Sequence, residues 1–310
     1  MGAGGKLPAL FLPERRKYEA KEPKKAAGTL FAYLARAADI YRFFVIPVMT
    51  TFVYSFTNYD GFQPKLNFVG WKNYINIFTN DKKFWASIVN NIKLVLCYNT
   101  IGLFISVSLA LVLNKIRFKN FYRACFFIPV VMSTVAIGYT WSFMFDPTNG
   151  IFSGISKLLG LPVVDFLGNY KLALYAVIFV DIWKGQGNNM IILLAGLQSI
   201  PADVYESARI DGATTWQQIR YITLPLLKPT ISVVILLTTI GCIKAFDLTY
   251  VMTKGGPFNS SELMTVRIFN EAFGGSAHYY GYASAESTIL FVLVLIVSLI
   301  QLKVTREKEA

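Results

Sequence analysis

The sequence predicts an all-α membrane protein that crosses the bilayer six times. Three observations carry that expectation: a shortage of charge, six long apolar stretches, and a lopsided placement of the basic residues. Only 15% of the 310 residues are charged, 54% are hydrophobic, and mean hydropathy is +0.46. A soluble domain carries about 25% charged residues, because polar groups must cover its surface. The 25 Phe and 17 Tyr suit lipid-facing and interfacial positions.

A helical span needs roughly 20 mostly apolar residues. Six stretches qualify, at about 36–57, 88–113, 123–145, 172–196, 229–252 and 282–302. Arg42 and Pro47 interrupt the first, so its inner boundary falls nearer Tyr41. Residues 1–35 are rich in Lys, Glu, Pro and Gly and read as a polar tail, as do 303–310. The region between them, 36–302, reads as one transmembrane domain.

An even number of spans puts both ends on one side. Of the 30 Lys and Arg, nineteen fall in the N-terminal arm through Arg42, the C-terminal tail, loop 114–123 and segment 199–228, against eight in the opposite loops. The positive-inside bias therefore places both termini and segment 199–228 in the cytoplasm. Orientation alone accounts for the net charge of +12, so no nucleic-acid partner is implied. On the outer side, GGPFNSS at 255–261 reads as a sharp turn, and 146–171 as a short amphipathic stretch along the membrane surface. Cys97, Cys125 and Cys242 sit in apolar runs without metal spacing, and His278 has no partners arranged for metal or base chemistry.

Segment 199–228 is too elaborate for a simple connection. Pro201 fits a first helical turn, and Asp203 lies near the positive end of the helix dipole. Gly212 can reverse the backbone after Ile210, and Thr214 stands three residues before Gln217 in a capping-box pattern. TWQQIRYI then reads as a second short helix that Pro225 interrupts. Glu206, Arg209 and Asp211 give the first helix charge, and Val204, Ala208 and Ile210 give it a small apolar face. Such a peg suits a pocket on a soluble partner or, alternatively, the surface of its own bundle.

The spacing resembles the EAA loop of the permease subunits of bacterial ATP-binding-cassette importers: Glu-Ala-Ala, three residues, Gly, nine residues, Ile-x-Leu-Pro. Here Glu206, Ala208, Gly212, Ile222, Leu224 and Pro225 keep that spacing, Asp211 precedes the glycine, and Ser207 replaces the first alanine. FVGWKNYINIF at 68–78, NFYRACFFIPVV at 120–131, VDIWKGQGNNMIILLAGLQSIP at 180–201, FDLTYVMTKGGP at 246–257 and GYASAEST at 281–288 are similar to the MalF-like, carbohydrate-type branch. The resemblance covers about residues 40–302. It implies a type I, MetI-like permease in a bacterial cytoplasmic membrane, paired with a MalG-like second permease subunit. Two ATPase subunits would grip the cytoplasmic coupling helices, and an extracytoplasmic binding protein would deliver a sugar or oligosaccharide. ATP and Mg2+ would belong to the ATPases; this chain has no phosphate-binding G-x-x-x-x-G-K-[ST] loop. No catalytic, cofactor-binding or metal residue is expected.

Intramembrane charges are costly, roughly 2.5–3.5 kcal/mol each on insertion scales. Asp181 and Lys184 in the fourth span, and Lys244 and Asp247 in the fifth, are each spaced i,i+3 and so would share a helix face. With Trp183, Asn188 and Thr134 they are the candidate solute path. Two readings stand: the groups hydrogen-bond a solute, or each Asp–Lys pair neutralises itself and holds helices in register. For Thr134 the rival is a bond back to its own helix. The family's cavity asparagines have no counterpart at Lys184, Lys244 or Ala245. Lysines there point to a sugar acid, glycan fragment or glycerol-phosphate-type solute, an inference weakened by the neighbouring aspartates. A proton-coupled carrier using Asp181 and Asp247 is the rival of another class; a membrane enzyme lacks a convergent catalytic set.

Overall fold

The computed structural model describes residues 38–62, 66–274 and 278–307. The tail read over 1–35 lies outside the described residues, as do 308–310 of the second tail. The chain divides into two units, residues 1–50 and 51–310. In the first, helix begins at residue 38 and passes through a π-turn, Tyr41–Val45, into α1 (Ile46–Tyr54), which ends in the second.

The second unit is built from helices, with a single isolated β-bridge between Thr57 and Phe68 among the described residues. In order these are α2 (Lys72–Thr79), α3 (Lys82–Lys115), α4 (Lys119–Val131), α5 (Thr134–Met144), α6 (Ile151–Leu158) and α7 (Ala173–Gln198). Then come α8 (Ala202–Ile210), α9 (Thr215–Ile243), α10 (Asp247–Thr253), α11 (Met264–Phe273) and α12 (Tyr280–Glu307).

Three of these, α3, α9 and α12, are long and apolar enough to cross a membrane, or four spans if the bent pair α4–α5 counts as one. Only 17–28% of their most apolar stretches is buried, so their oily faces point outward, as lipid requires. The count differs from the six expected for identifiable reasons. Helix α7 is long enough, about 39 Å at ~1.5 Å per residue, but Asp181, Lys184, Gln186, Asn188 and Asn189 lower its hydropathy. It is wrapped by protein instead: it packs on α3, α4, α9 and α10 and buries Val180, Met190 and Leu193 completely. Gly187 is what lets α4 approach, since a Cβ there would strike the Phe126 carbonyl.

Two predicted spans are broken. The third bends by 94° between α4 and α5, at Met132 and Ser133, three residues after Pro129. The fifth starts far earlier than expected. Pro225 does not interrupt it; a π-turn over Ile219–Thr223 runs straight into the helix, and Pro225 sits in the first turn that follows. A π-turn shifts the hydrogen-bonding register, so a missing N–H is accommodated there. That helix stops at Lys244, and a new one begins at Asp247.

A broken span leaves terminal carbonyls that must find donors where water is scarce. Asn91 of α3 donates to the carbonyls of Cys242 and Ile243 at 3.1 and 3.3 Å, and accepts from the Met264 N–H at 2.9 Å. Thr265 Oγ1 donates to the Ala245 carbonyl. Neighbouring helices thus take over the backbone bonds that the break removes.

One end of the bundle is held by charge. Arg267 of α11 lies 2.7 Å from Glu286, 2.5 Å from Asp81, 3.1 Å from Glu271 and 3.8 Å from Glu262. Arg267, Glu262 and Glu286 are all buried. Tyr282 donates to Asp81 at 2.6 Å, and Asn259 and Asn270 donate to Glu262 at 3.1 Å each. This lattice ties α3, α11 and α12 together.

Candidate functional site

The break in the fifth span opens a cavity of about 340 Å³ between α3, α5, α7, α9 and α10. Six of the seven candidate path residues line it: Thr134, Asp181, Lys184, Asn188, Lys244 and Asp247. Trp183 does not. It points into a separate apolar cleft on the opposite face of α7, its ring edge-to-face with Trp141 at 5.3 Å.

The charges are arranged differently from the expected pairs. Lys244 closes α9 and Asp247 opens α10, so those two do not share a helix face. Among the described residues neither Asp181–Lys184 nor Lys244–Asp247 forms an ion pair. Lys184 donates instead to Thr134 Oγ1 across the cavity. Thr134 is the first residue of α5, and its hydroxyl faces the cavity rather than bonding back to its own helix. The 94° bend is what aims it there.

Lys244, Asp247 and Asn188 are exposed, while Asp181 and Lys184 are half-buried, so the cavity opens at one side of the bundle. Asn189 follows the candidate Asn188 in the sequence. It is buried in the wall, and its Nδ2 has no hydrogen-bond partner among the described residues. Tyr98, Thr238 and Thr249 also line the cavity without having been singled out. Tyr98 and Thr238 lie on apolar runs with no local mark of function.

The second candidate region stands apart from the bundle. Helix α8 has no buried residue; Tyr205 and Ala208 are its half-covered foot, with Tyr205 Oη 3.1 Å from Thr223 Oγ1. Glu206, Ser207 and Ile210 are exposed, Ile210 at 86%. Its end is a Schellman turn, with Ala213 N–H donating to the Ala208 carbonyl and Gly212 N–H to the Arg209 carbonyl. That turn needs a left-handed residue, and Gly212 supplies it at φ +80°. Asp211 is the C-cap, and the Thr214–Gln217 capping box starts the next helix as expected. Ile222 lies in the π-turn, Leu224 and Pro225 just beyond it. The geometry is a short rigid peg presented outward rather than a loop lying on its own bundle.

A family model for the binding-protein-dependent transport system inner membrane component matches residues 102–308. The chain is 36% identical to the trehalose/maltose transport system permease protein MalF of Thermococcus litoralis, over 85% of this chain and 88% of that one. It is also 36% identical to the multiple sugar-binding transport system permease protein MsmF of Streptococcus mutans, over 86% and 91%. Among solved structures it is similar to a bacterial ABC transporter involved in the import of the acidic polysaccharide alginate. The TM-score is 0.80 at 24% identity, covering 92% of this chain and 97% of that one, which establishes the fold.

Proposed function

The chain belongs to the binding-protein-dependent transport system inner membrane components of carbohydrate-type ABC importers, and on that premise we propose how it moves its solute. Subunits of this family are non-catalytic permeases, and separate ATPase subunits hydrolyse ATP. The proposed solute is a glycan-type saccharide, delivered by an extracytoplasmic binding protein. In this reading the cavity at the broken span is this chain's half of the path, completed by a MalG-like second permease on its open side. The spans number six in the membrane, with α7 as an inner crossing and α4–α5 and α9–α10 as broken ones, and both termini are cytoplasmic.

The observation that carries the reading is the set of unpaired polar groups gathered at a broken span. Discontinuous helices whose ends line a cavity are a recurring way to build a solute site at membrane depth. Asp181, Asn188 and Asn189 supply acceptors and amides for sugar hydroxyls. Lys184 and Lys244, free of ion pairs, favour a saccharide bearing carboxylates over a neutral one. Energy would enter through α8: two ATPase subunits, one on each permease, close on ATP with Mg2+ and pull the peg. The stiff Gly212 turn and the unbroken run into α9 would pass that pull to the break at Lys244, 32 residues after Gly212.

The test is a cysteine at Ile210 in the assembled importer. A crosslink from that position to the ATPase subunit, together with uptake that requires ATP, is the expected result. Uptake without ATP, driven by a proton gradient, would instead make the chain a proton-coupled carrier.

A further inference from the structure

A second polar cleft, of about 660 Å³, lies beside the outer end of α3. Four lysines line it, Lys82, Lys83 and Lys93 from α3 and Lys171 just before α7, and no acidic residue does. All four are exposed, and none makes an ion pair among the described residues. The remaining wall is aromatic and polar, with Tyr170, Tyr175 and Phe258 beside Asn259 and Ser260.

The position of this cleft ties it to the cavity. Lys82, Ala86, Asn90 and Lys93 fall on one face of α3 over about 16 Å, at ~1.5 Å per residue. Continuing the row of Lys82, Ala86 and Asn90 in steps of four, Leu94 and Tyr98 line the inner cavity. On α7 the same succession holds: Leu174 in the cleft, Val177 and Asp181 in the cavity. The two spaces are consecutive stations along the same pair of helices.

The third wall is held in place and poised. Asn90 donates to the carbonyls of Ser260 and Glu262 at 3.0 and 3.1 Å, fixing the 258–260 loop against α3. Ser260 Oγ is buried without a hydrogen-bond partner among the described residues. Phe258 is 93% exposed and holds a left-handed backbone at φ 52°, which bulky residues avoid and which clusters at ligand clamps.

We propose that this cleft is an outer binding site for a carboxylated saccharide, an antechamber that receives the solute before it reaches the cavity at the broken span. Clustered ammonium groups over a low-dielectric wall concentrate an anion. Aromatic rings cover the apolar face of a sugar, and the Ser260 hydroxyl gains a partner from it. The inference rests on the importer reading above and adds the place where the solute is first held.

The test uses the assembled importer in nanodiscs of zwitterionic lipid, with trigalacturonate as probe and maltotriose as the neutral control. Trigalacturonate should bind at least tenfold more tightly than maltotriose. Combining Lys82→Gln, Lys83→Gln and Lys93→Gln should erase that preference while leaving the melting temperature unchanged, and Phe258→Ala should weaken trigalacturonate binding several-fold. Unaltered preference in the triple variant would overturn the proposal. So would complete displacement of trigalacturonate by phosphatidylglycerol in the disc, which would assign the lysines to a lipid headgroup. ATP-independent uptake by the unaltered assembly is a different failure, and it would strike the importer reading alone.

Discussion

Two groups of charged residues sit in this molecule, and they are built in opposite ways. At one end of the bundle four carboxylates converge on Arg267 at 2.5–3.8 Å, and all but Glu271 are almost wholly buried. At the broken span Asp181, Lys184, Lys244 and Asp247 share a cavity without forming one ion pair among them. Charges that hold a structure are satisfied by one another; in the proposed function, the charges left open at the broken span are kept for the solute. The comparison separates architecture from transport, and substitution in each group should have opposite consequences.

The largest expected effect is at Arg267. Arg267→Met would leave Glu286, Glu262 and Asp81 buried without their cation, and removing one partner of such a cluster costs about 3–5 kcal/mol. Thermal unfolding in detergent should show the loss; an unchanged melting temperature would erase the contrast between the two groups. Asn91→Leu should follow. It strands the Cys242 and Ile243 carbonyls and the Met264 N–H, each buried unsatisfied group costing about 1–3 kcal/mol. Because those groups cap the break, uptake should fall along with stability.

The next effect depends on pH. Burial pushes the Asp81 carboxyl upward, but the Tyr282 hydroxyl, the Phe84 N–H and Arg267 together hold it below its ordinary value of 3.8. A depressed carboxylate stabilises the fold above its unfolded pKa and loses that contribution as pH falls through the folded one. The stability gap between the wild type and Asp81→Asn should therefore be full near neutrality and shrink below about pH 3.8. Glu262 runs the other way. Burial raises its pKa despite Asn270 and Arg267, so its contribution is fully present below its ordinary 4.5 and declines as pH rises through the raised value. The smallest effect is at the peg. Gly212→Ala meets open space and costs only the left-handed backbone, about 1–2 kcal/mol. It should appear as reduced coupling of ATP hydrolysis to uptake with little change in global melting.

Much of this was legible in the sequence because it is local. The peg, its glycine turn and its capping box are written within about twenty residues, so spacing alone exposed them. The membrane class followed from composition. The break at Lys244–Phe246 was not legible: TTIGCIKAFDLTYVM carries no proline, and the donor that caps the break, Asn91, lies about 150 residues away. Arg267 looked like one more outer-loop charge for the same reason, since Asp81 is 186 residues distant. Helix α7 reads as a span in its apolar ends, yet its polar middle makes sense only once neighbouring helices are seen to enclose it. Contacts between distant segments, which no local pattern encodes, made the difference.

The most direct measurement pairs melting temperature with ATP-driven uptake in the assembled importer carrying Lys184→Met and Lys244→Met together. Neither lysine forms an ion pair among the described residues, so melting and assembly should stay near wild-type values while uptake falls at least tenfold. A variant that melts markedly earlier, or one that transports as well as the wild type, would show that the cavity's charges hold the bundle or do nothing for the solute.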